Sequence, residues 1–158
     1  MRLSRAVILT AILGFSQITI LDYFKVFGVK PDLILIAVFI AVFSLNLKQA
    51  LGVGLLAGVF KDAFTSNVLS FNAVLFPLWV FLIATLIKRI SIEDNISRIL
   101  LLFLVALLNN IISGLVLIYS SSSVSFGIFL RITFLASVYT ALIFMSILRI
   151  IKRWSGPK

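Results

Sequence analysis

The sequence predicts an all-α membrane protein: one domain spanning residues 1–158, folded as a bundle of six transmembrane helices with both termini in the cytoplasm. Three observations carry this expectation. The chain is 62% hydrophobic and only 12% charged, with a mean hydropathy of +1.24. A soluble domain carries about 45–50% apolar and 25% charged residues, so this chain could not cover itself with polar surface and the bilayer is its natural solvent. At roughly 20 residues per span plus short turns, its length accommodates about six helices. Finally, its 14 Lys and Arg residues are distributed unevenly between the two faces that six crossings would create.

The apolar runs give the elements in order. The first covers approximately residues 6–21, with Arg2 and Arg5 before it. No small-x-small cleavage site follows Ile20, so it is read as a retained helix rather than a signal peptide. The second run, 33–47, opens at Pro31 and Asp32, where proline is tolerated and an acidic side chain suits the helix N-terminus. The third, 50–64, is parted from it only by Lys48 and Gln49, which predicts a tight helical hairpin. The fourth, 71–87, carries Asn72 at its entry and Pro77, which removes a helical hydrogen bond. The fifth and sixth cover 99–119 and 128–148, with the polar turn Ser120–Ser123 between them.

Lys61 and Asp62 interrupt the third run, and charge counting decides whether it crosses. With six crossings, Arg2, Arg5, Lys48, Lys88, Arg89, Arg98, Arg149, Lys152, Arg153 and Lys158 fall inside. Lys25, Lys30, Lys61 and Arg131 fall outside, ten cations against four. If the third run turned back, the count would become five against nine. Cytoplasmic enrichment in Lys and Arg therefore favours six crossings. Tyr23, Phe24 and Phe27 in the 22–30 loop suit an interfacial aromatic belt. The basic tail after Leu148, with Trp154, suits an anionic inner leaflet. The partner for this charge is thus the lipid bilayer, and no nucleic acid is expected.

Histidine and cysteine are absent. That removes His/Cys zinc sites, thiol nucleophiles, Ser-His-Asp triads, disulfides and haem or iron–sulfur ligation. The acids are Asp22, Asp32, Asp62, Glu93 and Asp94. A membrane hydrolase wants two convergent carboxylates or a nucleophile beside a base, and the nearest approach to this is Asp32 with Asp62. No enzyme activity, cofactor or metal is expected.

Polar residues at membrane depth are costly, so the few present mark contacts. Ala50, Gly54, Gly58 and Asp62 recur every four residues on the third helix. Small residues in that pattern let another backbone approach closely, either a neighbouring helix of this chain or a partner's helix. Asp62 is placed to accept a hydrogen bond, and Asn72 to cap the fourth helix or reach across to Asp62. Asn109 and Asn110, with Ala106 and Gly114, form a second stripe on the fifth helix, serving either a helix–helix hydrogen bond or a polar cavity. Thr133, Ser137 and Thr140 can satisfy their own helix's carbonyls, and Arg131 can snorkel outward. The candidate packing or partner-binding residues are therefore Pro31, Asp32, Gly54, Gly58, Asp62, Asn72, Asn109 and Asn110.

Lys30-Pro31-Asp32-Leu33 resembles the Pro-Asp-Leu helix entry of the MreD family of rod-shape-determining membrane proteins. The stretch from Gly54 through Gly58 to Asp62 resembles that family's glycine-rich helix ending in aspartate. Ser70-Phe71-Asn72-Ala73 resembles its Gly-Leu-Asn-Ala entry to the next helix, with Ser70 in the glycine's place. The resemblance implies a non-enzymatic scaffold subunit of the bacterial cell-elongation complex for peptidoglycan synthesis, multi-pass in the inner membrane. It would bind the single-helix protein MreC, in an assembly with a RodA-type glycosyltransferase, its transpeptidase and the MreB filament.

The MreD fold is in turn similar to the substrate-binding subunits of energy-coupling-factor vitamin transporters, which define the alternative function. Such a protein needs an outward pocket, which Asn109, Asn110 and Asp62 could line. Those subunits carry a small-x-x-x-small alanine pair in helix one, where this chain has Thr10 and Gly14.

Overall fold

The computed structural model describes residues 3–19, 28–64, 71–90, 92, 94–121 and 125–154. Among them are six helices and no strand: α1 (Leu3–Thr19), α2 (Leu33–Ser44), α3 (Leu47–Phe64), α4 (Asn72–Arg89), α5 (Asn95–Ser121) and α6 (Phe126–Trp154). Asp22, Tyr23, Phe24, Lys25, Phe27, Ser70 and Glu93 lie outside the described residues, as do Ser122, Ser123 and Lys158.

Three helices, α4, α5 and α6, are long and apolar enough to cross a membrane. Helices α1 and α2 are apolar but shorter. Helix α3 is long enough, but Lys48, Lys61 and Asp62 all fall within its 18 residues.

Helix α2 forms the centre. It is apolar around its whole circumference, the mark of an element with no solvent or lipid face, and Leu33 to Phe39 are buried without exception. The other five helices all pack on it. Its C-terminal break is short: Leu45 is extended, and Ala50 N–H already bonds Asn46 C=O at 2.9 Å, so α3 starts at Leu47, ahead of the apolar run at 50.

Side-chain contacts give the helix directions. Gly58 lies against Asn72 and Ala73, and Gly54 against Phe76 and Val80, so α3 and α4 are antiparallel. Ala6 packs with Val53 and Gly14 faces Phe60, so α1 is parallel to α3. Thr140 meets Asp32 and Phe144 meets Phe39, so α6 is parallel to α2. Helix α5 runs back along α6, with Gly114 beside Phe129 and Asn110 beside Ser137. Arg5, Lys48, Lys88, Arg89, Arg98 and Arg149 consequently gather at one end of the bundle.

Candidate functional site

The candidate residues on α2, α3 and α4 meet in a polar layer at the ends of α1 to α4, opposite the gathered cations. The layer starts with α2. Pro31 leaves Asp32 as the N-cap, and the Asp32 carboxylate accepts the Leu35 N–H at 3.0 Å. Asp32 is 7% exposed, and a carboxylate that deep needs a partner. Lys61 supplies it: the ammonium is ion-paired with Asp32 and lies 5.0 Å from the centre of the Phe76 ring, with its side chain 17% exposed. Such a cation–ring contact gains strength as water is removed.

Asp62, the next residue, turns to α4. Its Oδ1 accepts Asn72 N–H at 3.2 Å and Asn72 Nδ2–H at 2.6 Å, and its Oδ2 accepts Ala73 N–H at 2.9 Å. An N-terminal helix turn leaves backbone N–H groups without intrahelical partners. Phe71, the residue at the cap position, has no side-chain acceptor to offer. Asp62 therefore caps α4 from a neighbouring helix, and its negative charge suits the positive end of the helix dipole.

The glycines explain how the carboxylate gets so close. A Cβ on Gly58 would stand 2.6 Å from the Ala73 Cα, and one on Gly54 would stand 2.9 Å from Val80 Cγ2. The stripe is thus covered by α4 of the same chain. Removing both side chains brings the two backbones together and sets Asp62 at hydrogen-bonding distance from the α4 N-terminus.

Two further ties complete the layer. Gln17 on α1 accepts the Ile34 N–H at 3.0 Å, and the Thr140 hydroxyl on α6 accepts the Asp32 N–H at 3.0 Å while donating to Ala136 C=O. The two carboxylates have different partners, Lys61 and the α4 N-terminus.

Asn109 and Asn110 stand apart from this network. Asn109, fully buried, accepts the Trp79 indole N–H at 3.2 Å, which joins α5 to α4. An indole can only donate, so this bond fixes which end of the amide faces Trp79. Asn110 donates to the Ser137 hydroxyl at 3.1 Å, joining α5 to α6. Trp79 and Gln17 are participants that the sequence did not single out, while Lys61, read there as an interrupting charge, and Ser137 and Thr140, read as self-satisfied hydroxyls, are partners in these contacts. The one available signal was the presence of polar or indole groups at membrane depth.

A concave surface lies elsewhere. An apolar cleft of about 190 Å³ lies between α1 and α3, lined by Val7, Thr10, Ala11, Val53, Leu56 and Phe60. It contains neither asparagine and neither carboxylate. No family model matches the chain, and neither the curated proteins nor the solved structures gave a match.

Proposed function

We propose that this chain is a non-catalytic, multi-pass scaffold of the bacterial inner membrane, of the MreD type, with six crossings and both termini cytoplasmic. In this reading it binds an MreC-like single-helix protein and serves the cell-elongation complex that makes peptidoglycan. One observation supports it most. The three segments that carry the resemblance, 30–33, 54–62 and 70–73, belong to three successive helices and are joined in one contact network: Asp32 with Lys61, Asp62 with Asn72 and Ala73, and Gly58 against the Asn72–Ala73 backbone. Residues that matter for one fold-holding junction belong together in this way. Most polar groups of that junction are engaged in binding one another, Asn72 Oδ1 excepted, which suits a body that presents surfaces to other membrane proteins.

Depletion in the native bacterium tests the reading. Rods should become spheres, and pull-down of the tagged chain should recover a bitopic MreC-like protein, with RodA-type and transpeptidase partners in the same fraction. Normal cell shape with loss of uptake of a single vitamin would instead support the substrate-binding subunit of an energy-coupling-factor transporter.

A further inference from the structure

The apolar cleft between α1 and α3 has no part in the polar layer, and its walls define what can fill it. Val7, Thr10 and Ala11 form one wall, and Val53, Leu56 and Phe60 the other. The Thr10 hydroxyl already donates to Ala6 C=O at 2.9 Å, so the lining asks for no polar partner. Its rim faces outward: Leu56 is 55% exposed and Val7 36%. Along α3 the cleft extends from Val53 to Phe60, seven residues or about 10 Å. A volume of about 190 Å³ over that length makes a slot about 4–5 Å wide. An extended hydrocarbon chain is about 4 Å across at van der Waals contact, whereas a helix with its side chains needs about 10 Å. The slot takes an alkyl chain and is too narrow for a transmembrane helix.

The two ends of the slot differ. At one end the Phe60 ring lies against Gly14 and meets the Phe15 ring at 5.3 Å and the Phe64 ring at 4.8 Å, centre to centre. The other end is where the parallel helices α1 and α3 both begin. Arg5 stands two residues before Val7, and Lys48 five before Val53. Both are exposed, as are their neighbours Ser4 and Gln49. Neither helix has an acid in its first turn. An apolar slot thus has aromatic rings at one end and cations at the other.

We propose that this slot holds one acyl chain of an anionic glycerophospholipid whose headgroup lies at the Arg5–Lys48 end, with Ser4 and Gln49 as hydrogen-bond donors to its oxygens. Both halves of such an amphiphile are matched, hydrocarbon by the apolar walls and phosphate by the cations. The α1–α3 face is then sealed by lipid rather than by a partner's helix. The proposal requires α1 and α3 to lie in the membrane and is independent of the MreC reading.

The full-length protein, extracted in mild detergent from vesicles of equal parts phosphatidylglycerol and phosphatidylcholine with the same acyl chains, tests this. Native mass spectrometry measures the lipid retained, and circular dichroism checks that each variant is folded. Phosphatidylglycerol should be favoured about twentyfold, since each basic residue at a membrane surface strengthens attraction to an anionic lipid about fivefold. Arg5→Gln with Lys48→Gln should bring that preference down to about twofold. Lys88→Gln with Arg89→Gln, exposed cations at the same end of the bundle but on α4, should leave it nearly unchanged. Leu56→Trp fills the slot from its rim and should lower retention of either lipid at least about tenfold, the effect of exposing two methylene groups. Leu104 is 50% exposed on α5, and Leu104→Trp should retain the lipid. Equal losses in the two cation pairs would assign the preference to a generally basic surface and overturn the headgroup site. Unchanged retention in Leu56→Trp would overturn the slot, and if that variant also lost a bitopic protein in the pull-down, the face would belong to a partner's helix. Lipid retained as expected, with no bitopic protein recovered by the parent chain, would sink the scaffold reading alone.

Discussion

Adding a single methyl group at Gly58 tests the close approach on which the polar layer depends. In Gly58→Ala the new Cβ would stand 2.6 Å from the Ala73 Cα and from the Asn72 carbonyl carbon, against 3.4–4 Å for ordinary contact. Those atoms are backbone, and Asp62 pins them through three hydrogen bonds. No rotamer change can relieve the overlap, so α3 and α4 must separate by about 1 Å. Overpacking of this kind costs about 1–3 kcal/mol, and stretching the Asp62 bonds adds to it at about 1 kcal/mol per weakened bond. Alanine returns about 1 kcal/mol through its better helix propensity. The net expectation is a loss of about 2 kcal/mol. Gly52, on the same helix, provides the matched control, since a Cβ there meets nothing within 4 Å. Gly52→Ala should therefore gain up to about 1 kcal/mol. Unfolding in mixed micelles by titration with sodium dodecyl sulfate, followed by circular dichroism, measures both. Equal shifts of the same sign in the two variants would refute the close-approach argument.

Other substitutions probe the remaining ties by the same assay. Asp62→Ala removes the acceptor for three N–H groups and should cost about 2–3 kcal/mol, with Asp62→Asn losing roughly half as much. Lys61→Met leaves the Asp32 carboxylate without its cation and should cost about 2–4 kcal/mol. Combining it with Asp32→Asn, which keeps a capping oxygen for Leu35, should cost less than the sum of the two single changes. Strict additivity would mean that the pair contributes nothing as a pair. Thr140→Val orphans the Asp32 N–H and should cost about 1 kcal/mol, whereas Thr140→Ser should cost less than half of that. A Ser variant as unstable as the Val variant would assign the effect to packing instead.

The elements were legible because apolar runs mark them, and each of the six runs overlaps a helix. Their ends were less so. Hydropathy equates a helix with its apolar stretch, but the helix continues wherever the backbone can bond. Thus α3 begins three residues before its apolar run, through Lys48 and Gln49, and α6 continues past Leu148 into its basic tail to Trp154. The carboxylates and asparagines were legible because such groups are rare at depth. Their partners were not, because pairing across helices depends on register and rotation. Thr133, Ser137 and Thr140 illustrate the point. Each can be satisfied by its own helix, and Ser137 and Thr140 do donate there. A hydroxyl that donates still has lone pairs to accept with, and those lone pairs hold Asn110 and Asp32.

Helix α2 raises a physical question that the polar layer answers. Its twelve residues extend about 18 Å, well short of a hydrocarbon core of about 30 Å, yet it is the most completely buried helix of the bundle. Set in a bilayer, a central helix this short would leave its first N–H groups and its incoming chain in hydrocarbon, where unsatisfied backbone groups are not tolerated. Here that end is the best-bonded part of the protein: Asp32 caps Leu35, Gln17 takes the Ile34 N–H, and Thr140 takes the N–H of Asp32 itself. The charge that the cap brings in requires Lys61. The helix that carries Lys61 must then lie close to α4, which is what Gly54 and Gly58 permit. The short helix, the ion pair, the glycine stripe and the borrowed cap of α4 thus have one common cause, and exchanging any of them singly should disturb the others. On this account, lengthening α2 by a turn of leucines ahead of Pro31 would not improve the bundle. It would displace Asp32 from Lys61 and Thr140.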